Sequence, residues 1–110
     1  MKQRRKGERN LCAEFIQISW TDDDGQSRSE LATLEDISPT GACIQLEFPI
    51  PAETEVALHY PKGRYRGTIK YSALEKTGYI HGIEFHEPDR WSKDDFEPSH
   101  LLELPLVRRK

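Results

Sequence analysis

The chain opens with a basic segment, MKQRRKGERN, in which three residues separate Arg5 from Arg9 and Arg4 directly precedes the pair. A guanidinium group is planar and permanently charged. Its fork of donors can bind a phosphate or pair with the O6 and N7 edge of guanine, and its plane can stack on a purine. Two such groups on one loop can hold different parts of one nucleotide, and Gly7 keeps that loop flexible. Charge alone instead favours a solvated tail, because runs of like charge are often disordered.

A second polar segment, Asp36-Ile37-Ser38-Pro39-Thr40-Gly41, begins 27 residues after Arg9 and lies between two predicted strands. The Asp36 carboxylate can accept hydrogen bonds from the N1–H and N2–H2 groups of guanine, and the Ser38 hydroxyl can serve a phosphate or a base edge. Gly41 permits a positive φ and a close approach of the backbone. The same residue types also make an ordinary turn, and this segment taken alone favours that interpretation.

Charge is distributed unevenly along the chain. Residues 1–9 carry five positive charges and one negative charge, so the remainder carries −7 against a total of −3. A generally basic protein would indicate non-specific binding of nucleic acid. A local basic cluster on an acidic body instead indicates a small anionic partner.

The cysteine and histidine positions favour neither a metal site nor catalysis. Cys12 and Cys43 form no C-x-x-C pair and the four histidines are scattered, so no ligand set has the spacing that a metal needs. No histidine or lysine completes a catalytic set with Asp36 and Ser38, so we expect no catalytic residue, no enzyme and no cofactor. Both cysteines are expected to be buried free thiols. Without an export signal or a membrane-spanning stretch, the expected location is the cytoplasm, with no membrane insertion.

Six predicted strands would position the two polar segments. Residues 11–20 are rich in β-formers and place Ile16, Ile18 and Trp20 on one face, and later segments alternate in the same way. Turn residues separate the strands, and no long helical period intervenes, which favours an antiparallel barrel or sandwich over a βαβ fold. The predicted strands are residues 11–20, 28–36, 41–48, 54–60, 64–74 and 79–85.

Alternation also predicts the face of each side chain in the fifth strand. The residues expected on one side of that strand are Tyr65, Gly67, Ile69, Tyr71 and Ala73.

The pattern changes after the sixth strand. PDRWSKDDF predicts a short helix with Asp89 near its start, ending before Pro98, and SHLLELP predicts one further turn. These elements divide the chain into a flexible basic loop at 1–10, a barrel at 11–87 and a C-terminal helical segment and tail at 88–110. An open end of the barrel could be covered by Leu101, Leu102, Leu104 or Trp91.

The order and separation of the two polar segments resemble those of the PilZ domain family. In that family an R-x-x-x-R loop and a [D/N]-x-S-x-x-G turn form the binding site for cyclic di-GMP, a bacterial second messenger. A third likeness is Gly82-Ile83-Glu84-Phe85, which is similar to the G-[V/I]-x-F stretch that ends the family's last core strand. The resemblance covers the chain from about Arg4 to Phe85. It implies an all-β fold, namely a six-stranded antiparallel β-barrel with a short C-terminal helix.

The resemblance also implies a binding role for particular residues. Arg4 is an additional candidate, because an extra arginine can stack on a second ligand molecule. Binding would order the N-terminal loop and change the surface offered to a downstream protein partner, as in a ligand-switched receptor or adaptor. The residues expected to bind cyclic di-GMP are Arg4, Arg5, Arg9, Asp36, Ser38 and Gly41.

Two other functions remain open for such a chain. One is a PilZ-like barrel that binds a protein partner and no nucleotide. The other is a small barrel that binds single-stranded nucleic acid, which normally uses aromatic platforms in a basic groove. The charge of −7 outside the first nine residues argues against the second alternative.

Overall fold

The computed structural model describes residues 10–98 and 102–103 and shows an all-β chain. Six antiparallel strands close into a barrel, and a two-residue strand is added beside the start of the first. The predicted fold class and six-stranded antiparallel barrel are therefore confirmed. The strands are β1 (Asn10–Thr21), β2 (Ser27–Ser38), β3 (Gly41–Leu46), β4 (Glu55–Tyr60), β5 (Gly63–Glu75), β6 (Gly78–Phe85) and β7 (Leu102–Glu103).

Closure of the barrel brings the start of the first strand next to the second polar segment. Neighbouring strands follow the order β2-β3-β6-β5-β4-β1, and β1 also pairs with β2. In that closing pair Asn10 lies opposite Ile37 and Trp20 lies opposite Arg28. The chain therefore enters the barrel directly beside the Asp36–Gly41 segment.

The core is built from alternate side chains of the strands. On β1, Ile16, Ile18 and Trp20 are all buried, which confirms the face predicted for them. Trp91 from the C-terminal segment belongs to the same core cluster, and its indole Nε1 donates to the carbonyl oxygen of Phe96 at 2.7 Å. Both tryptophans therefore pack as core residues.

The C-terminal segment contains no helix among its described residues, so the short helix predicted for this segment is absent between 88 and 98. A turn forms around residues 92–96 instead, in which the Ser92 carbonyl accepts from the backbone N–H groups of Asp95 and Phe96. Where one further turn was predicted, Leu102–Glu103 forms a strand beside β1. Residues 99–101 and 104–110 lie outside the described residues. The described residues also include no helix long and apolar enough to cross a membrane.

Hydrogen bonds to the barrel explain why this segment is not helical. The Asp89 carboxylate accepts the Arg66 backbone N–H at 2.8 Å and its guanidinium Nε at 3.0 Å, and these bonds lower the pKa of Asp89. The backbone N–H of Trp91 donates to the carbonyl oxygen of Pro39. A short polar segment gains little from a helix whose first turn is costly to form, so these contacts with the barrel prevail.

His81 is a fully buried polar residue that fixes the loop after β3. Its Nε2 accepts the Ile50 N–H at 2.9 Å, and the Ser72 hydroxyl donates to the Ile50 carbonyl at 2.8 Å. An imidazole that accepts at Nε2 is neutral and carries its proton on Nδ1. Nδ1 has no well-aligned partner among the described residues, although the Tyr79 carbonyl is nearby. Burial therefore lowers the pKa of His81 below its ordinary 6.5, and the Tyr79 carbonyl offsets only part of this shift.

This burial predicts a loss of stability in mild acid. Well above pH 6.5, His81 is neutral in both the folded and unfolded chain and contributes no pH dependence. Below that pH the unfolded chain takes up a proton that the folded core disfavours, so the free energy of unfolding is expected to fall. Urea unfolding from about pH 7.5 to about pH 5 measures this slope. His81→Gln retains an acceptor for Ile50 and no titrating ring, so its slope should be shallower; equal slopes would contradict the prediction.

Candidate functional site

A β-bulge in β2 turns Asp36 to the outer face of the sheet. Leu34 and Asp36 pair with consecutive residues of β3, so Glu35 is an extra residue in the ladder. Strict alternation would place Asp36 in the core with Leu34, but the bulge shifts the pattern by one residue and puts Ile37 in the core instead. Asp36 therefore lies on the outer face, where its neighbours leave it only 6% exposed.

A second bulge, in β5, turns Tyr71 to the same outer face. Ile69 and Tyr71 pair with consecutive residues of β6, so Lys70 is the extra residue. The prediction that Tyr71 and Ala73 share a face with Tyr65 is therefore wrong, because the alternation reverses at the bulge. Tyr71 is 52% exposed, whereas Tyr65 on the inner face is buried.

The bulges align side chains in two rows that cross the outer face of the sheet. Residues directly opposite one another in an antiparallel ladder are close neighbours, so each row is a continuous surface. The first row consists of Asp36, Cys43, Gly82 and Tyr71. The second row consists of Ser38, Gly41, Glu84 and Thr68.

All members of the two rows except Thr68 line a pocket of about 250 Å³ on the outer face. Of the residues predicted to bind the ligand, Asp36, Ser38 and Gly41 all line it. The remaining lining residues are Thr40, Ala42, Cys43, Lys70, Tyr71, Gly82, Ile83 and Glu84. The predicted residues that lie outside the described part of the chain are Arg4, Arg5 and Arg9.

The turn between β2 and β3 is held in place by hydrogen bonds within it and to β6. The Ser38 hydroxyl accepts from the Thr40 N–H and donates to the Gly41 carbonyl, each at 3.4 Å. The Thr40 carbonyl accepts the Phe85 N–H at 2.8 Å. Ser38 therefore shapes the turn that forms one wall of the pocket.

Close packing, and not a positive φ, requires glycine at position 41. A Cβ atom there would lie only 2.3 Å from the carbonyl oxygen of Ile83 on the neighbouring strand. The glycines with positive φ in the described residues are Gly25 and Gly78, so Gly41 does not use the positive φ that glycine permits. Gly41 does use the close approach of the backbone that glycine also permits.

The pocket contains an aromatic surface that the sequence analysis missed. A Cβ atom at Gly82 would lie 2.1 Å from Cε2 of Tyr71, so the tyrosine ring rests directly on the glycine backbone. An exposed ring held against a sheet can stack on a nucleobase. The feature that marks this surface is an aromatic residue paired across the sheet with a glycine. It can be recognised only once the register of β5 against β6 is known.

The described lining of the pocket has more negative than positive charge. Asp36 and Glu84 supply two carboxylates, and the ammonium of Lys70 lies 3.9 Å from Glu84 and 3.5 Å from Glu53. An adjoining depression of about 560 Å³, which shares Thr40 and Glu84 with the pocket, is lined by a further cation, Arg90. An anionic ligand in the pocket would therefore need positive charge from elsewhere in the chain.

The two cysteines have different surroundings. Both are free and half-buried, so each thiol is less buried than expected. Cys12 lies in β1, where burial and nearby carboxylates raise the pKa of its thiol to about 12 and its Sγ donates to the Leu34 carbonyl. Cys43 lines the pocket.

A barrel of six antiparallel strands, with a polar turn and a pocket on its outer face, defines this chain as a small antiparallel β-barrel domain. A sequence model of the PilZ domain family matches residues 3–97, and the chain belongs to this family. The resemblance of the sequence to the PilZ domain family is thus confirmed. The family is known as a cyclic di-GMP receptor domain, and its members are typically non-catalytic receptors or adaptors. Comparison with curated proteins finds no match.

Proposed function

We propose that this domain binds cyclic di-GMP through the basic N-terminal loop and the Asp36–Gly41 turn. The observation that carries the proposal is the register of the closing strand pair, in which Asn10 lies opposite Ile37. Arg9 is bonded to Asn10, and consecutive Cα atoms are about 3.8 Å apart. Asn10, which directly follows the basic segment, therefore lies beside the Asp36–Gly41 turn, and this position supports a composite binding site.

The charge of the pocket supports a role for the arginines. Cyclic di-GMP carries two phosphates, and a lining with two carboxylates and one ammonium does not favour an anion. The basic segment contributes the missing charge, with five cations among residues 1–9. The site would then have two parts, an acidic wall that binds a guanine and a basic loop that binds phosphate. Such a site suits a ligand that contains both guanines and phosphates.

Each group in this site has chemistry that suits one part of the ligand. Arg5 and Arg9 would bind phosphate and stack on or pair with guanine. The Asp36 carboxylate would accept the N1–H and N2–H2 groups of a guanine. The Tyr71 ring would stack on a base, a contact that contributes about 1–3 kcal/mol. Ser38 would hold the turn, since its hydroxyl already bonds within it.

Ligand binding would act as a switch on the N-terminal segment. Ordering a flexible loop costs roughly 1–2 kcal/mol per backbone residue, which the charge-assisted contacts and stacking must exceed. The ordered segment, residues 1–9, would change the surface that the barrel offers to a downstream protein in the cytoplasm. No catalytic step and no cofactor form part of this function.

Titration calorimetry with cyclic di-GMP, and with cyclic di-AMP as the matched control, tests the proposal. We expect the domain to bind cyclic di-GMP with a clear preference over cyclic di-AMP. Adenine has no N1–H and no N2 amino group, so it cannot donate these hydrogen bonds to the Asp36 carboxylate. Absence of binding to either nucleotide would overturn the proposal and favour the protein-interaction barrel. Salt-dependent binding of single-stranded RNA without binding of cyclic di-GMP would favour the nucleic-acid alternative.

Arg4 is expected to set the number of ligands bound. A third guanidinium next to Arg5 can stack on a second nucleotide, so the wild type should bind two ligands per chain and Arg4→Ala only one. Calorimetric stoichiometry distinguishes these values directly. Lys2→Ala, which removes a charge from the same segment without a planar group, is the control and should retain two. A wild-type stoichiometry of one would contradict this role of Arg4.

A further inference from the structure

The first half of β2 has an edge that pairs with no described residue. Thr33–Ser38 pair with β3, but β3 ends at Leu46, so Ser27–Leu31 pair with β1 alone. A depression of about 390 Å³ lies beside this edge and is lined in part by Leu31 and Phe15, which are 59% and 70% exposed. An open strand edge next to apolar side chains is a template for pairing with another strand.

Opposite charges flank the centre of this edge. Arg28 and Glu30 lie on either side of Ser29 and share one face of the strand, because side chains two residues apart point the same way. Their charged groups are 3.8 Å apart, and the side chains are 41% and 39% exposed. If Ser29 lay opposite Ser29 of a second copy in an antiparallel ladder, each Arg28 would lie opposite a Glu30. Opposite charges across a ladder are stabilising, and like charges are destabilising.

Geometry and charge together favour this register over those centred on the two adjacent residues. In a twofold dimer that continues one sheet, residues that lie directly opposite one another across the two copies must point to the same face. The twofold axis must therefore lie where a residue faces its own copy, and not midway between two consecutive residues. An axis at Arg28 would oppose two arginines, and an axis at Glu30 would oppose two glutamates. An axis further along would run into the half of β2 that β3 already occupies from Thr33 onward.

We propose that the Ser27–Leu31 edge of β2 is an interface through which two copies of this chain form a twofold dimer, with Ser29 at the axis. The interface is isologous, so the same edge serves both copies and the assembly closes at two. The ladder is short, which predicts weak association that depends on concentration. Asp36 and Ser38 lie at the other end of β2, so both pockets would stay open in the dimer.

Sedimentation velocity at protein concentrations up to about 1 mM tests this interface. We expect the wild type to form dimers as the concentration rises. Arg28→Glu makes both flanking positions acidic and Glu30→Arg makes both basic, so each variant alone should be monomeric. An equimolar mixture of the two variants should recover the dimer, because opposite charges then face each other in both pairs. Lys62→Glu and Glu75→Arg carry the same charge changes outside this edge and should dimerise as the wild type does.

Two results would overturn the proposal. One is a wild type that stays monomeric at every concentration, which would leave the edge open to a different partner. The other is a dimer that persists in Glu30→Arg. Because the Arg28 guanidinium lies 5.6 Å from the Trp20 ring, Arg28→Glu also removes a core contact. Glu30→Arg leaves that contact in place and therefore decides the question if the first variant does not fold.

Discussion

Replacing Arg5 or Arg9 with alanine is expected to weaken the binding of cyclic di-GMP by about 10- to 100-fold for each residue, and replacing both is expected to abolish it. Each guanidinium can make a bidentate contact, and a hydrogen bond to a charged group contributes about 1.5–3 kcal/mol. The pocket cannot compensate, because its described lining has two carboxylates and one ammonium. Titration calorimetry of the three variants measures the loss.

Controls within the same segment separate a specific contact from general attraction. Lys6→Ala removes one charge from between the two arginines and should cost at most about fivefold, the range of an exposed ion pair. Arg9→Lys keeps the charge but loses the planar fork, so its affinity should fall between those of the wild type and Arg9→Ala. Equal losses for Lys6→Ala and Arg9→Ala would contradict the assigned role of Arg9.

Gly41→Ala is expected to cost about 1–3 kcal/mol of unfolding free energy, the range of overpacking in a well-packed site. Its Cβ would meet the backbone carbonyl of Ile83 at 2.3 Å, and a backbone atom can move away only if the pairing of β3 with β6 shifts. Urea unfolding measures this loss. The displaced turn should also lower the affinity for cyclic di-GMP, since Asp36 and Ser38 belong to it.

Gly82→Ala is the matched variant, because its clash is with a side chain. The Cβ would meet the ring of Tyr71, which is half exposed and can rotate away from the sheet. We therefore expect a smaller loss of stability than in Gly41→Ala but a clear loss of ligand affinity, because the stacking surface has moved. Similar stability losses in the two variants, or unchanged affinity in Gly82→Ala, would contradict this account of the pocket.

Only part of the candidate site was predictable from the sequence. Asp36, Ser38 and Gly41 were identified because they form a continuous motif, and all three line the pocket. Tyr71 and Gly82 were missed as partners, because they are distant in the sequence and meet through the register of β5 and β6. The assignment of Arg5 and Arg9 remains a prediction of the sequence that awaits the binding measurements.

The amino-acid sequence by itself determined the number of strands in the barrel, their order along the chain and most of the faces they bury. Period-two alternation and turn residues are local properties, and the burial of Ile16 and Ile18 follows from them. Only the tertiary structure decided the face of Asp36 and of Tyr71, because a bulge arises from the pairing of two strands and reverses the alternation of one of them. It also decided that the segment from 88 to 98 is not helical, since the hydrogen-bond partners that prevail there, such as Arg66, belong to the barrel. The residue pattern of one segment does not contain the hydrogen-bond partners or the strand pairing that a distant segment provides.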